Sequence, residues 1–277
     1  MKLERIQHRE AYKRLAARWQ KHGFAATLAE LVEEAHTNHQ RPISFFFRDD
    51  DADELTPNLV HLLEVFVGKE IPLHLQVIPR EVTQEAVDYL RELKQRHPHL
   101  VFLSQHGWSH ENHSRNGKKQ EFGDARTQID QFLDIVAGKD KMSELFLQDF
   151  FPAFTPPWNR YDRSTLMSLR ELGFEVLSAD GGHIGLTDFE LVEISTVVDL
   201  HHCRPAPEMK APGHLLFEIQ AALRTKSTVG VLLHHHEMQA TDFGFVGWIL
   251  TLLKTVSGVE FPNFEQICQR HAGLKER

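Results

Sequence analysis

The stretch Ile43-Ser44-Phe45-Phe46-Phe47-Arg48-Asp49-Asp50-Asp51 is an apolar run that ends abruptly in charge. The run has a strand's length rather than a helix's, and its lack of polar alternation suits a strand covered on both faces. The same figure recurs downstream. Further strands are expected at 72–78, 100–104, 151–154, 174–178, 196–200 and 229–233, with a weaker one at 259–261. Between them lie helical stretches at 57–67, 81–96, 124–136, 162–172, 213–224 and 243–256, the first with Thr56 as its cap ahead of Pro57.

Repeated β–α alternation of this kind builds a parallel sheet with helices outside it. The number of units favours a distorted, TIM-like (β/α)7-8 barrel over an open doubly wound sheet, and no glycine-rich phosphate loop speaks for the latter. Residues 1–39 read as a helical N-terminal extension. Residues 40–277 read as one barrel domain, with no repeat or linker to divide them.

Hydrophobic residues make up 41% of the 277 and charged residues 25%, the balance of a chain able to bury a large core. A formal net charge of -8, with basic residues scattered among acids, argues against a nucleic-acid partner. The opening MKLERIQHRE is charged, and no stretch approaches the ~18 consecutive apolar residues of a membrane span. A cytoplasmic location without a membrane partner is therefore the expectation. Cys203 and Cys268 lie far apart outside any CxxC pattern and read as free thiols. Trp19 and Trp248 fall in helical stretches and read as core residues.

The chain has 19 histidines, so where they cluster matters. In a βα barrel, chemistry gathers at the C-terminal ends of the strands. Those positions here carry Arg48-Asp49-Asp50-Asp51, then Gln105-His106-Gly107-Trp108-Ser109-His110-Glu111-Asn112-His113, then Thr155-Pro156-Pro157-Trp158-Asn159-Arg160. Asp180-Gly181-Gly182-His183, His201-His202 and His234-His235-His236-Glu237 follow. The strands were placed from apolar runs alone, so the gathering of polar clusters at one rim is independent evidence for a site. Three adjacent carboxylates oppose one another's ionisation unless a cation compensates. Arg48 can neutralise one; a solvated acidic turn capping the next helix is the plainer reading, and a divalent metal the functional one. His106 and His110, at HxxxH spacing, converge on one face of a turn, and two imidazoles with one carboxylate leave positions open on Zn²⁺ for water and substrate. Trp108 and Trp158 sit beside these residues, either to stack on a sugar ring or to pack under the helices.

Taken in order, these motifs resemble the polysaccharide-deacetylase family, the NodB homology domain. Asp50-Asp51 resembles its aspartate pair, His106-Gly107-Trp108-Ser109-His110 its HSxxH, Thr155-Pro156-Pro157-Trp158 its Arg-x-Pro-Tyr, and Val231-Leu232-Leu233-His234 its final strand ending in histidine. The resemblance implies a NodB-type barrel and a metal-dependent hydrolase that removes an N-acyl group from a sugar or sugar-containing metabolite. It implies one divalent ion, zinc by preference, held by Asp51, His106 and His110, with Asp50 as base and His234 as acid to the leaving amine. Trp158, through its backbone N–H, and Arg160 are placed at the oxyanion and substrate. Asp49 as base is the alternative register, with His235 as the alternative acid. Three departures stand out: Thr155 replaces the arginine that orients the base, leaving that role to Arg48 or Arg160; Gly107 replaces a bracing hydroxyl; and the last motif has three histidines. The substrate is a small molecule or oligosaccharide; a non-sugar amide, a cyclic C–N bond or a catalytically silent binding module are the alternatives.

Overall fold

A computed structural model of the chain describes residues 2–115, 117–181, 189–202 and 208–275. In chain order the strands are β1 (Ile43–Ala52), β2 (Leu73–Val77), β3 (Val101–His106), β4 (Phe150–Thr155), β5 (Val176–Ala179), β6 (Val192–Asp199), β7 (His201–His202), β8 (Glu208–Met209), β9 (Thr228–Leu233) and β10 (Val259–Glu260). The helices are α1 (Lys2–His39), α2 (Pro57–Lys69), α3 (Gln84–Arg96), α4 (Gln128–Phe146), α5 (Arg163–Glu171), α6 (Pro212–Leu223), α7 (Ala240–Thr255) and α8 (Phe264–Lys275). Strands β1 to β6 and β9 lie side by side in parallel, and β1 pairs with both β2 and β9, which closes the sheet into a barrel. Strand β10 adds to β1 on the outside of that ring, while β7 and β8 form a separate antiparallel pair.

Alternation along β1 sorts its side chains between two cores. Phe45 and Phe47 face outward into the large cluster formed with Leu59, Leu62 and Phe66 of α2, Leu216 of α6 and Leu250 of α7. Phe46 faces inward, where Ala153, Val176 and Ile194 from other strands meet Phe264 and Ile267 of α8. Helix α8 therefore plugs the floor of the barrel. It was not among the expected helices, because Phe264 and Ile267 are nearly all the apolar signal its mostly polar sequence offers.

Other expectations meet the structure closely. Thr56 caps α2 by accepting from the Leu59 N–H at 3.1 Å, with Pro57 at the first helical position. The N-terminal helix is broken at Gly23, whose φ of 79° lies in the left-handed region, and Leu28, Leu31 and Val32 beyond the break belong to the main core. Some boundaries move. Strand β1 runs through the aspartates to Ala52, because pairing with β2 continues past them with an irregularity between Asp49 and Ala52. Strand β6 begins earlier than expected, extended by its pairing with β5. Trp248 is 44% exposed on α7 and is no core residue, whereas Trp19 packs partly buried against Gly213. Gly182, His183 and Cys203 fall outside the described residues; Cys268 is a free, partly buried thiol.

The barrel floor also holds an unusual histidine. His74 of β2 stacks on Phe264 with ring centroids 3.6 Å apart and planes 10° apart, and neither ring nitrogen has a hydrogen-bond partner. Burial, helped by the charge of Lys94, lowers its pKa from 6.5 to about 3. Between those values the unfolded chain binds a proton that the folded chain refuses, so stability is fully present above the unfolded pKa and is lost as pH falls through this window. We expect His74→Leu to flatten the slope of stability against pH below 6.5, by about a tenfold change in the folding equilibrium per pH unit. Urea midpoints for both proteins at several pH values test this; parallel curves would assign the slope to other groups.

Candidate metal and hydrolytic site

The three aspartates at the end of β1 each meet different nitrogen partners. Asp49, facing outward and fully buried, accepts from the His235 backbone N–H at 2.9 Å and lies 2.6 Å from His235 Nδ1. Asp50 faces into the barrel, where Arg48 grips it with both ends of the guanidinium fork, Nε to Oδ1 and Nη2 to Oδ2 each at 2.9 Å. Arg48 is itself fully buried and also donates to Ser178 Oγ at 2.9 Å and Asn159 Oδ1 at 2.8 Å. Asp51 turns out of the strand with φ of 68°, which sets its Oδ1 3.1 Å from His106 Nε2 and 3.2 Å from His110 Nε2.

The histidine pair is delivered by the end of β3 and the loop that follows. His106 Nδ1 donates to the Thr155 carbonyl of β4 at 3.1 Å, which places the ring proton there and leaves the Nε2 lone pair facing Asp51. The chain then turns at Gly107, with φ of 57°, beneath a buried carboxylate from further along the loop. Glu121 accepts from the backbone N–H groups of Trp108 (3.1 Å), Ser109 (2.8 Å) and His110 (3.2 Å). A Cβ at position 107 would stand 2.2 Å from Glu121 Oε2. Gly107 and Glu121 thus form one device: the hydroxyl absent from position 107 is replaced by a carboxylate that needs the empty space. Gln105 completes the support by donating to the carbonyls of Gly107 and Ile135, in room left by Gly138.

Asp51, His106 and His110 present one ligand atom each within 4.8 Å of one another. Asp51 Oδ1 makes no hydrogen bond despite its two close nitrogens, the arrangement expected when three lone pairs aim at a common point rather than at each other. The set fits a divalent ion. Burial acts to raise the Asp51 pKa, but the His106 contact and the charges of His106, His110 and His234 hold it well below the usual carboxylate range. Burial opposes a charged His106, yet Asp50 and Asp51 outweigh it and shift the ring upward. His110 is shifted downward by burial and by His106. Burial raises Glu121 against the pull of its backbone donors. His236, which donates to Asp53 and to the Asp51 carbonyl, is raised to about 9 chiefly by Asp53.

The remaining rim residues are placed by a strained turn after β4. Trp158 and Asn159 have φ of 57° and 55°, a conformation costly for a bulky side chain. That turn lays the Trp158 ring against His110, centroids 4.3 Å apart, and brings Asn159 to Arg48. The Asn159 and Arg160 N–H groups are tied to the Pro156 and Pro157 carbonyls, whereas among the described residues nothing accepts from the Trp158 N–H. Arg160 donates to the Lys119 carbonyl at 2.6 Å, so the arginine that orients Asp50 is Arg48. Thr155, where the family resemblance has arginine, donates to Gln76 instead. His234 follows β9 with a buried, unpartnered Nδ1. Gln105 and Asn159 lie in the rim clusters read from the sequence, but their supporting contacts, like Glu121 and Ser178 altogether, are not legible there. Nothing in a lone glutamate within a polar loop signals that it will be buried.

Neither a protein-family model nor a curated protein matches the sequence. Solved structures do match. A protein described as a polysaccharide deacetylase from Mycobacterium smegmatis superposes with a TM-score of 0.62 at 16% identity, over 84% of this chain and 92% of its own. A family 4 acetyl xylan esterase from Clostridium thermocellum, in complex with a cobalt ion, gives 0.54 at 14% identity over 83% and 92%. A CE4 esterase from Streptococcus mutans gives 0.52 at 13% identity over 80% and 87%. The fold is the NodB-type barrel of the polysaccharide deacetylases.

Two outcomes follow from the supports. Arg48→Met strands a buried carboxylate and is expected to cost about 3–5 kcal/mol of stability; the exchange Arg48→Thr with Thr155→Arg should recover part of it, as measured by urea denaturation. No recovery would mean that the space around Thr155 does not admit a guanidinium. Glu121→Ala leaves three loop N–H groups unpaired and should weaken zinc binding about 10–100-fold in a chelator competition, with the circular dichroism spectrum unchanged. Unaltered zinc affinity would show that the loop holds its shape without the carboxylate.

Proposed function

We propose that this chain is a metal-dependent hydrolase that removes an N-acyl group, acetyl in the simplest case, from a sugar or sugar-containing metabolite. One observation carries the reading: three ligand atoms of Asp51, His106 and His110 converge beside a second carboxylate, Asp50, that is clamped by Arg48 and aimed into the barrel mouth. The fold shared with deacetylases and esterases supports it. Two imidazoles and a carboxylate suit zinc. When bound there, a divalent ion supplies Lewis acidity, which makes water more acidic and an acyl carbonyl more electrophilic.

The chain's own groups supply the rest. Asp50 takes the proton of the attacking water, and Arg48 holds that carboxylate in place. The Trp158 N–H, without a partner among the described residues, is available to the oxygen that gains charge as the carbonyl becomes tetrahedral. His234, with no intramolecular partner for Nδ1, gives a proton to the departing amine, which is a poor leaving group unless protonated.

The test is metal content and rate together. His106→Ala with His110→Ala should reduce bound divalent ion from about one per chain to near zero. Asp50→Asn should keep the ion yet lose ~10²–10⁴-fold in acetate release. His234→Ala should harm hydrolysis of an amide far more than that of an activated ester. Loss of metal from Asp50→Asn, or equal damage to amide and ester from His234→Ala, would refute these assignments.

A further inference from the structure

One lip of the barrel mouth carries an unusual concentration of positive charge. Arg115, Lys118 and Lys119 come from the long loop after β3, and Arg160 from the turn after β4. Arg115, Lys118 and Arg160 line an open cavity of about 620 Å³ with Gln120 and one acid, Asp124, which accepts from Gln120. Such a volume suits a small ligand. Among the described residues no carboxylate forms an ion pair with any of the four cations, in a chain whose net charge is -8.

The cavity is joined to the site by contact. Lys119 Nζ lies 5.7 Å from the centre of the Trp158 ring, whose other neighbour is His110. The Arg160 hydrogen bond to the Lys119 carbonyl fixes the two sides of this lip to each other. Three cations facing one carboxylate in the cavity, with Lys119 beside them, leave a net positive field that favours an anion arriving from solvent.

On the reading of the mouth as the substrate entrance, we infer that the natural substrate is anionic, with a phosphate or carboxylate that sits among Arg115, Lys118, Lys119 and Arg160 while its acyl amide lies at the Asp51, His106 and His110 cluster. Trp158 forms the wall between the two positions.

The test uses the zinc-loaded full chain and three probes: N-acetylglucosamine, N-acetylglucosamine 6-phosphate and N-acetylmuramic acid. Binding is measured by calorimetry, and acetate release is followed in the same samples. The phosphate, the carboxylate or both should bind about tenfold more tightly than the neutral sugar in dilute buffer. The two charged arms identify which anion the lip takes. That preference should shrink severalfold at 0.5 M salt and fall toward unity in Lys118→Glu with Lys119→Glu. The salt series on the unaltered protein keeps the test decisive if this variant folds poorly. Equal binding of all three sugars, binding of none, or a preference indifferent to salt would overturn the inference. Acetate released equally from all three would leave the hydrolase standing and remove the anion site. Salt-sensitive preference without acetate release would do the reverse.

Discussion

The structure of the site depends on how one strand disposes of three adjacent carboxylates. Left together, Asp49, Asp50 and Asp51 would hold one another protonated or unfold the end of β1. The strand separates them by alternation: Asp49 goes outward to His235, Asp50 inward to Arg48, and Asp51 out of the strand to His106 and His110. Each receives a different kind of partner. Asp49 is sealed between strand and helices as a structural tie to β9, Asp50 is held at both oxygens by the Arg48 guanidinium, and Asp51 faces two imidazole nitrogens with which it could share an ion. The pleat therefore separates the three carboxylates, and Arg48 gives the middle one a buried partner inside the barrel.

That arginine shows a physical constraint met from an unexpected direction. The family resemblance has arginine at position 155; this chain has Thr155 there and an arginine, Arg48, on β1. Both positions point into the same interior, where Arg48 reaches Ser178 of β5 and Thr155 reaches Gln76 of β2. The guanidinium on β1 reaches both oxygens of the Asp50 carboxylate from two residues away on the same strand. Gly107 and Glu121 are a second exchange of this kind, with a brace supplied from the far end of a loop.

These exchanges also mark where sequence reading stops. Apolar runs followed by polar clusters were legible, since period and burial are local properties, and so was the gathering of Asp51, His106, His110, Trp158 and His234 at one rim. Thr56 was legible as a cap for the same reason. The choice between Arg48 and Arg160, and between Asp49 and Asp50, was not. Each depends on which partners a side chain finds across the barrel, and the irregularity between Asp49 and Ala52 that turns Asp51 leaves no trace in composition. Helix α8 was missed because a plug needs only a few apolar contacts when the barrel supplies the remaining walls.

The rim is also where the backbone departs from its preferred conformations. Asp51, His110, Trp158 and Asn159 all have positive φ without being glycine. Each such residue costs on the order of 1–3 kcal/mol unless its surroundings over-determine it. The surroundings here do: Glu121 holds the His110 amide, His236 the Asp51 carbonyl, and Arg48 the Asn159 side chain. Relaxing any of these turns would swing a ligand, the Trp158 ring or the Arg48 brace away from the common point. The strain and the buried polar supports are therefore two sides of one arrangement, in which hydrogen bonds inside the barrel hold a set of side chains at its mouth in positions they would not adopt alone.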